Sequence, residues 1–470
     1  MAYKKKLNKE LVPEVKEISM RIRQISITGL FGVFNHIIPL NSDERITIIH
    51  APNGYGKTIM LKMLDGLFND RHYELLTIPY KNFQVEFEDG SRLEVVKIDL
   101  SETEPKTSLV LNFYNNTEEK QTYHLTIEDQ DYQESFPPRD DIYTHIQFQQ
   151  AMQNRSITRR HPGESLLESL ERTQRNLAAF NRPSSKNEEW FTQLKKSVHV
   201  YLIESQRLFS FSESGSEKRY PRNPNFSPAL TVDSYSAELV AQIKERLAKY
   251  ASVSQSLDRS FPTRLLKQNN SNELTSEELL LKLENLEKDR NDLIETGLLE
   301  KDEHENSQII QDEIHENMRN ILSVYVSDVE EKLRVFDDIT VKINLFRRII
   351  NSKFSYKEII IDREKGFIFK SKYPDEYQGF ADDLSPDSLS SGEQHELVLL
   401  YELLFKVPEK SLVLIDEPEL SLHVGWQVSF LRDLQDIVNL VDLDLLIATH
   451  SPSIVHGRWD LTVELKGLPQ

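Results

Sequence analysis

A glycine-rich turn between an apolar segment and a helical pattern lies near the start of the chain. The apolar segment RITIIH, Arg45–His50, is typical of a buried strand, and the loop APNGYGK follows it directly. The next residues, TIMLKMLDGLF, carry apolar side chains at helical spacing. A buried strand followed by a tight turn and a helix predicts a layered α/β core, because both faces of such a strand must be covered.

The turn also fits a phosphate-binding P-loop, except that Ala51 occupies the position of the first glycine. The backbone N–H groups around Gly54 and Gly56 would surround phosphate oxygens, and the helix would point its N-terminus at them. Lys57 would reach the β- and γ-phosphates, and Thr58 would bind Mg²⁺. The residues expected to contact ATP here are Asn53, Gly54, Tyr55, Gly56, Lys57, Thr58 and Ile59.

A second apolar strand, in SLVLIDEPELSLH, ends in two carboxylates. This is the Walker B arrangement, in which Asp416 would hold Mg²⁺ and Glu417 would polarise the attacking water as general base. Together with the P-loop, the pair predicts hydrolysis of ATP.

The stretch DSLSSGEQHELVLLYELLF precedes this strand and resembles the signature loop of ABC-type ATPases, Leu-Ser-Gly-Gly-Gln. Three of the five positions match, while a serine and a glutamate replace the third and fifth. A helix beginning near Gln394 would aim its positive end at phosphate, and Ser390 could donate its hydroxyl. The residues expected to contact ATP here are Ser390, Ser391, Gly392 and Glu393, which follow Leu389.

A third apolar strand, DLLIATHSPSIV, ends in a histidine 33 residues after Glu417. In ABC-type ATPases a histidine at this point contacts the γ-phosphate, so the resemblance implies a catalytic role for His450 beside Lys57 and Glu417. Gln206, after the strand segment VYLIES, is the candidate for a Q-loop ligand of Mg²⁺, with Arg207 and Gln149 as alternatives.

The remaining pattern divides the chain into four segments. Residues 1–127 are predicted to form an N-terminal ATPase half with the P-loop and an antiparallel β lobe, and residues 352–470 a C-terminal ATPase half with the signature, Walker B and switch histidine. Between them, residues 128–232 are predicted to form a helical and loop insertion that contains the Q-loop strand 197–209. Residues 233–351 are predicted to form a helical arm. The pattern of strands and helices predicts the α/β class, and the resemblance to ABC-type ATPases implies an ATPase head with a mixed sheet, an antiparallel β lobe and an inserted helical arm.

The helical arm carries its own signals. Thr275 and Glu278 form a capping-box pattern, and Leu279, Leu286 and Leu293 recur every seven residues, which predicts a short coiled-coil seam. Between residues 273 and 306, 12 acidic residues against 4 basic ones favour a solvated face. A helical lobe that packs on the rest of the protein is the alternative.

Composition excludes several kinds of functional site and several classes of protein. There are no cysteines, which rules out disulfides, thiolate zinc sites and thiol catalysis. No apolar run approaches the ~20 residues that cross a membrane, and the basic N-terminus lacks the apolar segment of a secretory signal. We therefore expect a cytoplasmic protein without a membrane partner. The net charge of −19 disfavours general wrapping of nucleic acid, although a local basic patch leaves nucleic acid open as a partner.

Lys57 and Ser390 lie 333 residues apart, as in chromosome-condensation and DNA-repair ATPases with an inserted arm. With DEPELSLHVGWQ, NGYGKT and ATHSPSIV, the chain resembles the SMC/OLD-like branch of ABC-type P-loop ATPases. With GLFGVFNHIIPL, it most resembles the AriA family, the ATPase subunits of PARIS-type anti-phage defence systems. The resemblance covers both ends of the chain and the middle only in its general organisation, and Val424 stands where relatives often have proline.

This resemblance implies ATP and Mg²⁺ as ligands and a head-to-tail dimer in which the P-loop of one copy and the signature of the other enclose one ATP. It leaves a higher oligomer of such dimers open. It further implies a separate nuclease effector of the TOPRIM type, held inactive until a phage protein triggers its release. Only 20 residues follow His450, so we expect the nuclease on another chain. The alternatives are the ATPase of a Septu-type system with an HNH nuclease, or a DNA-repair ATPase that clamps DNA, which the stretch ITRRHPGESLLESLERTQR and Arg219 and Arg222 favour.

Overall fold

Two β-sheets and a separate hairpin organise the part of the chain that a computed structural model describes. That part comprises residues 20–100, 106–126, 189–203, 231–267, 275–300, 316–372, 384 and 386–465. The antiparallel sheet consists of β1 (Ile22–Leu30), β2 (Phe34–Pro39), β4 (Asn82–Phe87), β5 (Arg92–Leu100), β6 (Lys106–Tyr114) and β7 (Lys120–Thr126). Its strand order is β2-β1-β4-β5-β6-β7, and its antiparallel pairing confirms the predicted antiparallel β lobe.

The second sheet is parallel in all its pairings. Its strands are β3 (Ile46–His50), β8 (Val200–Ile203), β11 (Leu412–Asp416), β12 (Asp444–Thr449) and β13 (Thr462–Glu464), and their order is β13-β3-β12-β11-β8. Because parallel strands are covered on both faces, the central ones are continuous apolar runs, and this made them recognisable in the sequence. Their carboxyl ends share one edge, so the loops after β3, β11 and β12 meet there.

The Q-loop strand is shorter than the predicted segment 197–209. Ser197 ends a helix, and the strand itself begins at Val200. Residues 204–209 lie outside the described residues. The remaining strands, β9 (Lys357–Asp362) and β10 (Gly366–Ser371), form the antiparallel hairpin.

Ten α-helices surround these sheets in the described ranges. They are α1 (Lys57–Phe68), α2 (His72–Thr77), α3 (Glu189–Ser197), α4 (Thr231–Lys267), α5 (Ser276–Glu295), α6 (Glu316–Leu333), α7 (Asp337–Lys353), α8 (Ser391–Tyr401), α9 (Val424–Val441) and α10 (Pro452–Val455). Helix α8 continues as a π-helix over Glu402–Lys406, and 3-10 turns occupy Arg334–Phe336, Pro386–Ser388, Pro418–Leu420 and Trp459–Leu461. None of these helices has both the length and the apolar character required to cross a bilayer.

Helices α4, α5 and α6 form a lobe that packs on the rest of the protein. The capping box of Thr275 and Glu278 is present, and the leucine stripe at positions 279, 286 and 293 is buried. These leucines belong to the same hydrophobic cluster as Ile48 and Val413 of the parallel sheet. The stripe is buried mainly against α6, as a short seam between helices predicts, and α4 joins this lobe to α8 and β10.

A buried ionic cluster ties the helices of the C-terminal half together. Lys353 at the end of α7 is 3% exposed and pairs with Glu396 of α8 and, at 2.8 Å, with Asp433 of α9. Burial alone would lower the pKa of Lys353, but the two carboxylates outweigh it and raise that pKa. The cluster links the signature helix α8 to the helix that follows Walker B. The α/β class is confirmed, while the boundaries of the four predicted segments stay a prediction.

Candidate active site

The loop between β3 and α1 has the backbone that its glycines allow. Gly54 and Gly56 both take left-handed φ angles, +86° and +85°. A Cβ atom on Gly56 would lie 2.6 Å from Leu30 Cδ2, so a side chain is excluded there. Helix α1 has Gly56 as its N-cap, with no side-chain cap and no acidic residue in its first turn. Its positive end is therefore suited to an anion from outside the helix.

Lys57 is held within this loop. Its side chain is almost buried, and Nζ donates to Ala51 O at 2.8 Å and to Pro52 O at 3.2 Å. The same Nζ lies 3.3 Å from His450 Nδ1. Burial lowers the pKa of Lys57, while the nearby carboxylates oppose that shift. The ammonium thus has only carbonyl and ring acceptors, which an incoming phosphate could replace.

Thr58 and Asp416 meet across 358 residues of sequence. Thr58 Oγ1 donates to Asp416 Oδ1 at 3.0 Å. Burial raises the pKa of Asp416 from 3.8 to about 6, with a further contribution from the charge of Glu417, although the bond from Thr58 opposes it. A hydroxyl and a carboxylate side by side are the oxygen ligands that Mg²⁺ prefers, so the residues fit this ion. The described residues contain no cluster of three or more His, Asp or Glu arranged to hold a metal ion.

Glu417 and His450 complete this constellation. Glu417 follows β11 with a left-handed φ of 44°, an uncommon backbone state for a residue with a side chain. Its N–H donates to Ala448 O at 2.9 Å, and its Oε1 lies 3.2 Å from His450 Nε2. The imidazole therefore lies between Lys57 and Glu417 and links the P-loop to Walker B.

Two further residues in this region were missed in the sequence. Glu419 accepts a hydrogen bond from the backbone N–H of His450, and Gln427 of α9 binds Ser451 Oγ. The available signal was the second glutamate in DEPEL, two residues after Glu417. The sequence does not predict either hydrogen bond, because each one joins residues that are more than twenty positions apart in the chain.

The signature helix begins earlier than predicted. Helix α8 starts at Ser391 rather than near Gln394, because Ser390 is its N-cap and forms a capping box with Glu393. Ser390 Oγ donates to Glu393 Oε2 at 2.9 Å, so this hydroxyl is already engaged within its own helix. The Ser-x-x-Glu pattern in the sequence, Ser390 to Glu393, is the signal that could have predicted this helix start.

Lys357 of β9 pairs with Glu393 at 2.9 Å and was also missed. Burial alone would raise the pKa of Glu393, but the bonds from Lys357 and Ser390 outweigh it and leave the pKa below its usual value. The glutamate is thus ionised and its charge is offset, so an anion could approach the start of α8.

The signature residues open onto a cavity of about 530 Å³. Its walls are residues 390–393 and 420–423 with the aromatic side chains of Phe354, Tyr356 and Trp426. None of these lining residues comes from the P-loop. The fold therefore gathers Lys57, Thr58, Asp416, Glu417 and His450 into one constellation, and the signature residues line a different space. Gln206 and its alternatives Arg207 and Gln149 lie outside the described residues, as do Arg219, Arg222 and the basic stretch.

A P-loop after a parallel strand, with an Asp-Glu pair at the end of a second strand that is separated from it by one strand of the same sheet, defines the class of P-loop ATPases. The chain belongs to the AAA ATPase domain family, whose model matches residues 20–455. It also shares 43% identity over 67 residues with protein ea59 of Escherichia phage lambda, a match that spans 14% of this chain and 13% of the phage protein.

Several solved structures are distantly similar to this fold. The Smc head domain of Pyrococcus furiosus, bound to the C-terminal domain of ScpA, is 11% identical with a TM-score of 0.28, covering 93% of this chain and 91% of that chain. The SMC head domain of Thermotoga maritima is 10% identical with the same score and coverage. The recombination mediator RecF is 12% identical with a TM-score of 0.28, covering 96% of this chain and 99% of that chain.

The raised pKa of Asp416 predicts that the ligand-free protein becomes more stable when this charge is removed. The folded state holds the proton up to a pKa of about 6 and the unfolded state only to 3.8, so the loss of stability grows between pH 3.8 and about pH 6 and is fully present above that. Asp416→Asn should raise the free energy of unfolding by about 2–3 kcal/mol at pH 8 and by less than about 1 kcal/mol at pH 4. Urea unfolding without nucleotide or divalent cation measures both values.

Asp43→Asn at the exposed turn before β3 is the matched control and should change neither value by more than about 0.5 kcal/mol. An Asp416→Asn protein that is less stable than the wild type at pH 8 would contradict the assignment of a raised pKa to this carboxyl.

Proposed function

We propose that this chain is an ABC-type ATPase whose complete active site forms between two copies, and that it acts as the sensor and scaffold subunit of an anti-phage defence system. The observation that carries the first part is the separation within one copy: Lys57, Thr58, Asp416, Glu417 and His450 converge, whereas Ser390–Glu393 line a different cavity. A site that needs both sets is incomplete in one copy. Two copies placed head to tail would complete two sites at once.

The chemistry follows from the groups that converge. The α1 N-terminus and Lys57 bind the phosphates of ATP, with Lys57 exchanging its carbonyl partners for phosphate oxygens. Glu417 accepts a proton from the attacking water, and His450, bonded to Glu417, contacts the γ-phosphate. Thr58 Oγ1 and Asp416 would hold Mg²⁺, which when bound offsets the charge of the phosphates. The positive end of α8 from the second copy closes the other side of the phosphate.

The surface beside the signature cavity supports pairing with a second copy. Leu420 and Val424 are each 70% exposed, and Val428 follows one helical turn later at 45%. Val424 and Val428 are spaced i, i+4 on α9 and therefore share one face, next to the loop that lines the cavity. An apolar stripe of this kind is stabilised when another surface covers it.

The defence role is supported by the resemblance of the P-loop, Walker B and switch strings to the AriA family. In this proposal the ATP-bound assembly holds a separate TOPRIM-type nuclease inactive. A phage protein then triggers release, and hydrolysis loosens the clamp by removing the γ-phosphate that both copies bind.

Two single substitutions separate binding from hydrolysis. Lys57→Ala should abolish detectable ATP binding, because it removes the only P-loop cation. Glu417→Gln should bind ATP with near wild-type affinity and lower kcat by about 100-fold or more, because the amide cannot accept the proton. Equilibrium binding of a fluorescent ATP analogue and steady-state phosphate release measure the two effects. Wild-type turnover in Glu417→Gln would remove this residue as the base.

Sharing of the site between copies predicts complementation. Ser390→Arg blocks the signature and should abolish hydrolysis, as should Lys57→Ala. In an equal mixture, half of the dimers are mixed and each has one intact site, so about a quarter of the wild-type activity should return. Activity equal to the sum of the two inactive proteins at every mixing ratio would refute a shared site.

The effector assignment is tested by co-expression of this chain with the nuclease genes adjacent to its own gene. We expect a TOPRIM-type nuclease to co-purify with the wild type in the presence of ATP, and to be lost with Lys57→Ala, because the assembly requires bound nucleotide. Co-purification of an HNH nuclease would favour the Septu-type alternative. ATP hydrolysis that rises on addition of DNA, without any nuclease partner, would favour a DNA-clamping ATPase.

A further inference from the structure

We propose that Glu419 is a positioning residue of the active site, which holds His450 against Glu417 by accepting the hydrogen bond of the histidine's own backbone N–H. This role rests on the proposed ATPase function. Glu419 lies on the short 3-10 turn Pro418–Leu420, directly after the Walker B carboxylates. His450 lies just past the end of the neighbouring strand, β12.

The need for such a residue arises where the sheet ends. The parallel ladder between β11 and β12 runs to the pair Asp416 and Ala448, and the N–H of Glu417 then donates to Ala448 O at 2.9 Å. Two residues further along β12's path, the N–H of His450 donates to Glu419 Oε1 at 2.7 Å. The side chain of Glu419 therefore accepts the hydrogen bond from the N–H of His450 at a point beyond the end of the β11–β12 ladder, where no backbone carbonyl of β11 is available.

A second bond joins the same two segments. Gln427 of α9 is 8% exposed; its Nε2 donates to Glu419 O at 3.4 Å, and its Oε1 accepts from Ser451 Oγ at 2.9 Å. The loop after Walker B and the residues after β12 are thus joined twice. The backbone of His450 is restrained on one side, and its ring lies 3.3 Å from Lys57 Nζ and 3.2 Å from Glu417 Oε1 on the other.

The free oxygen of Glu419 indicates that its role is more than packing. Oε2 is buried and has no hydrogen-bond partner among the described residues. Burial of an unpaired carboxylate oxygen is unfavourable, and a neutral amide would satisfy a single N–H equally well. With Asp416 and Glu417, this carboxylate adds a third negative charge near Lys57.

The experiment compares two variants of Glu419 in the full chain. Glu419→Ala removes the acceptor and should lower kcat for ATP about 10- to 100-fold, with KM changed by less than about threefold, because a displacement of the order of 1 Å has such an effect on catalysis. Glu419→Gln keeps an acceptor oxygen and should recover most of the lost kcat. Glu409→Ala, at the exposed turn before β11, is the matched control and should leave kcat unchanged.

A double mutant tests whether Glu419 acts through His450. In the His450→Ala background, Glu419→Ala should lower kcat by less than about twofold further, because the ring that it positions is already absent. Full multiplication of the two effects would overturn the proposal, as would a Glu419→Ala protein that behaves like Glu409→Ala. Equal losses in the Ala and Gln variants would overturn it too, since charge rather than the hydrogen bond would then matter.

Circular dichroism first establishes that each variant folds. If Glu419→Ala does not, Glu419→Asp replaces it: the shorter side chain withdraws the acceptor, and we expect the same loss of kcat and the same lack of further effect in the His450→Ala background. Undiminished kcat in a folded Glu419→Asp protein would overturn the proposal. Wild-type hydrolysis by Lys57→Ala would instead show that the proposed function fails, independently of any Glu419 variant.

Discussion

The parallel pairing of β12 between β3 and β11 is the constraint on which the site depends. Each of these strands ends at the same edge of the sheet; Glu417 and His450 directly follow β11 and β12, and the loop that follows β3 leads to Lys57. Lys57, Glu417 and His450 come from three distant parts of the chain and lie within hydrogen-bonding distance because their strands are in register. A slip of one residue in either ladder would turn these side chains to the other face of the sheet.

The same convergence brings charges into a partly buried space, and the protein tolerates this at a cost in stability. The pKa of Lys57 is lowered and that of Asp416 is raised, and in both cases burial is the largest cause. The left-handed backbone conformation of Glu417 is a second unfavourable contribution to stability. Unfavourable burial and backbone strain of this kind concentrate at functional sites, where the surrounding structure enforces them. Here the enforcing structure is the buried core of the parallel sheet.

The signature side of the proposed site is built differently. Its charges are paired locally: Ser390 with Glu393 in the capping box, and Glu393 with Lys357 of the hairpin. The helix behind it is tied through Glu396 to Lys353, and Lys353 also pairs with Asp433 of α9. In the other half, Lys57 is hydrogen-bonded to backbone carbonyls and Asp416 to the Thr58 hydroxyl, and neither forms an ion pair within the described part of the chain. Such a division suits two halves that meet only when nucleotide lies between them.

The amino-acid sequence by itself determined the strands, the P-loop, the Asp-Glu pair and the histidine, because buried parallel strands are continuous apolar runs and each motif is contiguous. It also determined the capping box at Thr275, which is local. Only the tertiary structure decided that the leucine stripe of α5 is buried against α6, that Glu419 binds the backbone of His450, and that the signature residues line a separate cavity. These facts depend on contacts between distant segments, and periodicity describes which face of a helix is apolar but not what covers it.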